Sequence, residues 1–204
     1  MVVRVEQIGA GAGQNLSYVL SVESGDGMVI DPSFVANEIL RVVGMEAISI
    51  RYVVDTHGHR DHVQGNRLLA EETGAKVAIH EHDAPMLQEP PDVLLHDGDI
   101  LQLGDAEVQV IHTPGHTRGG ICILAEGLLF TGDTLFVGNC GRTDLAGGSD
   151  QELFNSLRRL KSLDGGVKVY PGHSYGGSSS TIEREKRTNP AMRCETLDEF
   201  RLIP

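Results

Sequence analysis

Three histidines and an aspartate lie within six consecutive residues, His57 to His62, in the segment THGHRDH. Imidazole nitrogens suit zinc and iron, and a carboxylate adds a hard oxygen ligand. In extended backbone, residues two apart point to the same side, so His57 and His59 can reach one cation. Asp61 and His62 follow after a turn and can reach a second cation. A histidine-rich polar loop arising by chance explains this density of ligand types poorly, so the segment predicts a metal site.

Further candidate ligands follow strand-like runs later in the chain. Each stands directly after a glycine, and each alone would be interpreted as an ordinary turn or helix-cap residue. Together with the first segment, they bring the set to five histidines and two aspartates, which is enough for two cations. These residues are His116 in HTPGHT, Asp133 in FTGDTLF and His173 in YPGHSY.

Short runs rich in valine and isoleucine alternate with turns along the chain, and such runs predict strands. Helical periodicity appears between them. The strands form an early cluster and a later one, each followed by helix, which predicts an α/β fold class with two β-rich halves and helices outside. The predicted strands are 2–8, 16–22, 28–30, 48–55, 77–80, 108–112, 121–125, 128–130 and 167–170, and the predicted helices are 34–43, 150–163 and 181–187.

Two serines, each followed three places later by glutamate, predict helix starts of the capping-box type. Ser149 with Glu152 would open the helix at 150, and Ser180 with Glu183 would open the one at 181. The dipeptide Asn189-Pro190 should end the latter helix.

A glycine-rich stretch near the N-terminus resembles a dinucleotide-binding loop only superficially. Gly9, Gly11 and Gly13 alternate, but residue 14, where G-x-G-x-x-G requires glycine, is Gln14. A strand pattern follows instead of a helix, so the stretch predicts a flexible turn between two strands.

The composition predicts one globular domain spanning residues 1–204, since 204 residues can bury a real core. The formal net charge of −12 argues against a nucleic-acid partner, which would need clustered lysine and arginine. No apolar run approaches the roughly 20 residues that cross a bilayer, so no membrane partner is expected. Three cysteines make no disulfide framework, and the N-terminus lacks a signal-peptide pattern, so we expect a cytoplasmic protein.

These segments, in this order, resemble the metallo-β-lactamase-fold superfamily over about residues 15 to 190. The signature THxHxDH stands here as THGHRDH, and HTPGHT, FTGDTLF and YPGHSY also match. The resemblance implies a four-layer αββα sandwich with a metal pair. It implies that one metal is held by His57, His59 and His116, the other by Asp61, His62 and His173, and that Asp133 bridges them.

Two divalent ions, Zn, Fe or Mn, would act by holding a hydroxide that attacks a carbonyl, because metal binding lowers the pKa of water to near 7. Asp61 would be the catalytic residue that both ligates and orients this hydroxide. Asp31, which matches an early aspartate of the superfamily, and more weakly His112 are candidates for partners that orient the ligands. His80, His82 and His96 lie outside the motifs and are predicted to be surface residues.

Details of the motifs separate the branches of the superfamily. True β-lactamases of this fold carry cysteine in place of Asp133, and diiron flavoproteins carry glutamate in place of His59. What remains resembles glyoxalase II, a hydrolase of thioesters. In that branch Arg142 and Tyr175 would bind the thiol-derived part of a small substrate. Their alternatives are a surface salt bridge and a packed aromatic ring.

A second branch also matches. The CGRTD stretch from Cys140 to Asp144 and the tail STIEREKRTNP resemble persulfide dioxygenases, which use one Fe(II) on the equivalents of His57, His116 and Asp133. Glyoxalase II proper has a C-terminal helical domain that completes its glutathione site, and this chain has only a short tail there, so a smaller or different thioester is possible. Another hydrolase of the superfamily, or a non-enzymatic metal-binding member, is the third hypothesis.

Overall fold

The computed structural model describes residues 3–10 and 14–203, and residues 11–13 of the glycine-rich stretch lie outside the described part. The predicted strands on either side of that stretch are present. They pair antiparallel, with Ala10 opposite Asn15.

Two six-stranded sheets form the centre of the fold. The first has the order β1-β2-β3-β4-β5-β6, and its strands from β3 onward run parallel. The second has the order β14-β13-β10-β9-β8-β7, with β10 and β13 parallel. The first sheet comprises β1 Arg4–Ala10, β2 Asn15–Ser21, β3 Asp26–Ile30, β4 Ser49–Val54, β5 Lys76–His80 and β6 Val93–Leu95. The second comprises β7 Ile100–Leu103, β8 Ala106–His112, β9 Ile121–Ala125, β10 Leu128–Gly132, β13 Lys168–Pro171 and β14 Ser180–Thr181, while β11 Leu135–Phe136 and β12 Asn139–Cys140 make a small hairpin.

Helices cover the outer faces of both sheets. The first sheet carries α1 Ala36–Met45 and α3 Asn66–Thr73, and α2 Arg60–Val63 is a single turn within the metal-ligand segment. The second sheet carries α4 Asp150–Lys161, α5 Ile182–Thr188, α6 Pro190–Arg193 and α7 Leu197–Phe200.

Three apolar layers hold these elements together, and strand residues alternate between them. Ile30 faces the layer between the sheets, whereas its neighbour Val29 packs under α1. Phe130 faces the same central layer, whereas its neighbour Leu129 packs under α4. This alternation, two residues per repeat, is what a sheet covered on both faces requires. The predicted αββα sandwich is confirmed.

Helix α4 illustrates how local sequence sets its ends. The Ser149 hydroxyl accepts a hydrogen bond from the Glu152 backbone N–H, as predicted for the start of this helix. Leu153, Leu157 and Leu160 are fully buried on one face at three- and four-residue spacing. Three basic residues stand in the last turn, where they favour the negative end of the helix dipole.

Some boundaries differ from the predictions because local signals compete. The cap of α5 is Thr181, whose hydroxyl accepts from the Arg184 N–H, and Ser180 instead lies in β14. Asn189 ends α5 as predicted and also caps α6 through its side chain. The sequence patterns do not predict helices α2, α3, α6 and α7 or strands β6, β7, β11, β12 and β14, since these elements are short or carry few apolar residues. Among the described residues, no helix is long and apolar enough to cross a membrane.

Candidate metal centre

All seven predicted ligand residues meet at one edge of the sandwich. The carboxyl ends of parallel strands share an edge of a sheet, and loops leaving them carry the site. The segment His57–His62 follows β4 of the first sheet, while His116, Asp133 and His173 follow β8, β10 and β13 of the second. The two sheets therefore each deliver part of the ligand set.

The first group consists of His57, His59 and His116, each with a ligand atom within 4.8 Å of the others. His116 Nε2 lies 2.9 Å from His59 Nδ1. The opposite nitrogen, His116 Nδ1, donates to the carbonyl of Arg142 at 2.8 Å. That bond leaves Nε2 with its electron pair directed at the other two rings, as a metal-binding histidine requires.

The second group consists of Asp61, His62 and His173, again with ligand atoms within 4.8 Å of one another. The two Nε2 atoms of the histidines are 3.2 Å apart. Asp61 Oδ2 lies 3.6 Å from His173 Nε2 and 3.7 Å from His62 Nε2. These three atoms form one face of a site for a cation.

Asp133 lies between the two groups. Its Oδ2 is 3.5 Å from His116 Nε2 of the first group and 3.4 Å from His173 Nε2 of the second. Its Oδ1 is 3.5 Å from His62 Nε2. A carboxylate in this position can contribute an oxygen to each of two cations.

A separate observation supports the fit of these residues to metal ions. His57 Nε2 and Asp133 Oδ1 are both buried without a hydrogen-bond partner, and buried polar atoms are rarely left in that state. Gly172 adds a steric observation, because a Cβ at that position would collide with Asp133 Oδ1. The residues thus leave room for ions and hold unpaired electron pairs towards them.

The charges of the cluster point the same way. Burial lowers the pKa of His57 well below its usual value, and the neighbouring imidazole of His62 adds to that effect, so His57 is neutral. Burial also acts to lower the pKa of His62, but Asp133 and Asp31 outweigh it and raise that pKa to about 9. Burial alone would raise the pKa of Asp133, yet His62 and His173 bring it far below its usual value. The carboxylates thus favour positive charge, which a divalent cation can supply in place of the His62 proton.

Asp31, predicted to orient the ligands, lies beneath the site at the end of β3. Its Oδ1 accepts the backbone N–H of Thr56 at 2.7 Å, and its Oδ2 accepts the Thr56 hydroxyl at 2.6 Å. His62 Nδ1 donates to the same Oδ2 at 3.0 Å, which leaves His62 Nε2 for the site. Asp31 has a positive φ of 48°, a conformation that aspartate and asparagine tolerate better than most residues.

Asn15 was not predicted, and it contacts the proposed catalytic carboxylate. Its Nδ2 donates to Asp61 Oδ2 at 3.0 Å, and its backbone forms a bridge with His173. Burial acts to raise the pKa of Asp61, but His62 and the Asn15 hydrogen bond outweigh it. The pKa of the Asp61 carboxyl is therefore below its usual value. Asn15 reaches Asp61 through strand pairing alone, so no local sequence motif predicts this contact.

His112 does not lie with these ligands. Its Nε2 donates to the Arg118 carbonyl at 2.9 Å, and its ring stacks on His80. The prediction that it orients a ligand therefore finds no contact in support. His80, predicted as a surface residue, is only 3% exposed, because the ends of β5 and β8 enclose it.

A cavity of about 580 Å³ opens beside the centre. His116 and Asp133 form its inner wall, and the two residues predicted to bind substrate, Arg142 and Tyr175, also line it. The Tyr175 ring stacks on His173 at 4.7 Å between centroids, with its edge exposed. The Arg142 guanidinium makes two 2.6 Å hydrogen bonds to Asp144 on the surface. The tail also contributes to this cavity through Phe200, Arg201 and Ile203.

Comparison with known proteins identifies the family. Residues 10–173 match the metallo-beta-lactamase superfamily. The chain belongs to the metallo-β-lactamase superfamily. A hydroxyacylglutathione hydrolase from Pelagibacter ubique is 36% identical over 191 residues, which cover 91% of this chain and 78% of the relative. Members of this superfamily are metal-dependent hydrolases and oxidoreductases that bind one or two divalent ions.

Two solved structures of the metallo-β-lactamase superfamily show the same fold. ETHE1 from Myxococcus xanthus is 32% identical, with a TM-score of 0.87 over 100% of this chain and 92% of its own. TTHA1623, solved in a di-iron-bound form, is 31% identical, with a TM-score of 0.80 over 91% of this chain and 99% of its own.

Proposed function

We propose that this protein is a hydrolase of small thioesters that works with two divalent ions, Zn, Fe or Mn. The observation that carries the proposal is Asp133, whose carboxylate lies between two complete groups of three ligands. The di-iron form of TTHA1623 and the likeness to a hydroxyacylglutathione hydrolase support it. The seven ligands are His57, His59, Asp61, His62, His116, Asp133 and His173.

When bound, the ions would lower the pKa of a water molecule and polarise the thioester carbonyl. The protein's own part is to hold these groups in place. Asp61 Oδ2, kept ionised and fixed by Asn15, is placed to accept a hydrogen bond from the attacking water. In the overall reaction, a carbon–oxygen bond forms as the carbon–sulfur bond breaks, and the thiolate takes up a proton to leave as a thiol.

The cavity beside the centre would hold the two halves of the substrate. Tyr175 has an exposed edge and can donate its hydroxyl to the thiol-derived part. Arg142 can release Asp144 and bind a carboxylate of that part instead, since the two carboxylates offer the same bidentate geometry. Arg201 also lines the cavity, 3.6 Å from Asp150, and gives a second cation for an acidic substrate.

The test is hydrolysis of S-lactoylglutathione and of smaller acyl thioesters, followed without oxygen. The metal-loaded protein should release free thiol and contain close to two ions per chain. His59→Ala and Asp133→Ala should abolish turnover, because each removes a ligand from the centre. His96→Ala is the matched control, since this histidine lies outside the centre. Full activity in both ligand variants, or activity that survives complete chelation, would contradict the proposal.

A second candidate is a persulfide dioxygenase that uses one Fe(II) held by His57, His116 and Asp133. It is favoured by the CGRTD stretch and by the likeness to ETHE1 along the whole chain. This activity would consume oxygen with glutathione persulfide, and the loaded protein would hold one iron. Thioester hydrolysis without oxygen uptake supports the first candidate, and oxygen uptake without thioester hydrolysis supports the second.

A further inference from the structure

Three other histidines meet outside the centre. His80 ends β5 of the first sheet, His82 follows in the next turn, and His112 ends β8 of the second sheet. Each has a nitrogen within 4.8 Å of a nitrogen of the other two. None of the three is used by the proposed hydrolysis.

The hydrogen bonds of this group leave electron pairs available. His112 donates through Nε2 to the Arg118 carbonyl at 2.9 Å, so its Nδ1 carries the free pair. A backbone carbonyl that fixes the opposite nitrogen is the usual partner of a metal-binding histidine. His80 Nδ1 accepts only one long bond, 3.2 Å, from the His82 N–H. Exchanging that weak bond for a cation costs little.

The ligand nitrogens lie within 4.8 Å of one another, so they have to approach by at most about 1.5 Å to bind one ion. His80 and His112 stack at 4.1 Å between centroids and 9° between planes, and the His82 ring is 5.0 Å from His80. At metal–nitrogen distances of about 2.0–2.1 Å, ligands of a tetrahedral site are roughly 3.3 Å apart. The exposed His82 side chain is free to rotate inward, and a tilt of the His112 ring would break the parallel stack and converge its electron pair.

The surroundings favour a cation. Burial lowers the pKa of His80 to about 4, and the imidazole of His112 contributes, so His80 is neutral at physiological pH. Carboxylates flank the group: Asp97 accepts the His112 backbone N–H, and Glu81 lies 3.7 Å from His96 Nε2. The Arg159 guanidinium offsets the charge of Asp97, to which it is bonded at 2.7 Å, and it also donates to the His112 backbone carbonyl at 3.2 Å.

We propose that His80, His82 and His112 form a further metal site, separate from the centre, with water as the remaining ligand. Three imidazoles without thiolate suit a borderline divalent cation, and Zn²⁺ is the most suitable because it accepts irregular tetrahedral geometry. The site is joined to the centre by Asp83, next to His82. This buried carboxylate accepts the backbone N–H of Gly58, between two ligands of the first group, at 3.0 Å.

The test is a titration of the protein, its catalytic centre already loaded, with Zn²⁺ alone, followed by calorimetry. One further equivalent should bind per chain. His82→Ala and His112→Ala should each weaken this event by at least about tenfold, the lower bound for losing even an outer partner of a ligand. His82 is exposed, so its removal leaves the fold intact, and thermal melting checks this in both variants.

His96→Ala is the matched control, because His96 lies 6.3 Å from His80 between ring centroids and is not one of the three ligands. It should keep the extra equivalent. Three results would overturn the proposal: no binding beyond the loaded centre, unchanged binding in both ligand variants, or loss in only one of them.

Discussion

The Asp31→Asn variant tests how the centre controls its ligands. Asparagine keeps the size of the side chain and tolerates the positive φ at this position. One oxygen can still accept the Thr56 N–H, so the new NH₂ group replaces the oxygen that faces His62 Nδ1. Two donors would then face each other unless His62 moves its ring proton to Nε2. That nitrogen is the one directed at the second group of ligands.

The size of the effect follows from the bond that is lost. A hydrogen bond to a charged group contributes about 1.5–3 kcal/mol. At about 1.4 kcal/mol for each tenfold, this is roughly 10- to 150-fold in affinity. Loss of an outer partner of a metal ligand costs a similar 10- to 100-fold, approximately. We therefore expect the ion held by Asp61, His62 and His173 to bind about 10- to 100-fold more weakly in Asp31→Asn.

The assay is competition for metal with a chromogenic chelator, combined with turnover at rising metal concentration. The variant should lose one ion before the other, because His116 in the first group is oriented by the Arg142 carbonyl and not by Asp31. Excess metal should restore much of the activity. The control is Asp26→Asn, which removes a surface ion pair with Arg51 and should change nothing.

Two results would refute this reasoning. If the Asp31→Asn variant binds each of the two ions as tightly as the unaltered protein does, Asp31 does not set the tautomer of His62. A large fall in melting temperature with both ions lost together would show that Asp31 acts on the fold instead.

Three other changes give measurable effects. Asn15→Ala should lower kcat about tenfold or more while KM changes little, because the ionised Asp61 loses a hydrogen bond worth about 1.5–3 kcal/mol; an unchanged kcat would remove Asn15 from the site. Gly172→Ala should reduce metal content, measured by elemental analysis, since its Cβ collides with the Asp133 carboxylate. Leu153→Ala should lower the free energy of unfolding by about 2–5 kcal/mol in denaturant titration, because Leu153 is fully buried under the second sheet; its metal content should stay normal.

The gathering of the ligand residues could be predicted because most stand in short segments whose spacing is itself informative. His57, His59 and His62 share one loop, and each later ligand follows a recognisable strand and a glycine. Strand ends at a common edge then bring them together without further information. Two β-rich halves with helices outside could be predicted for a similar reason, since apolar runs and amphipathic helices are local patterns, whereas the four αββα layers were implied by the resemblance to the superfamily.

Contacts between distant strands could not be predicted in this way. Asn15 reaches Asp61 because β2 pairs beside His173, a contact set by the packing of two sheets. The burial of His80 also depends on the end of a strand in the opposite sheet. Polar flanking residues suggested exposure for His80, and the packing of β5 against β8 decided otherwise.

The division of the ligands between the two sheets has a mechanical consequence. An ion at the centre would have ligands from both sheets and would act as a reversible cross-link between them. It would add to the apolar contacts and to hydrogen bonds such as that from the Tyr18 hydroxyl to the Pro171 carbonyl. The sheets could not part until that ion left. Backbone amides of the layer between them, such as those around Ile30 and Phe130, should then exchange with solvent at a pace governed by ion dissociation.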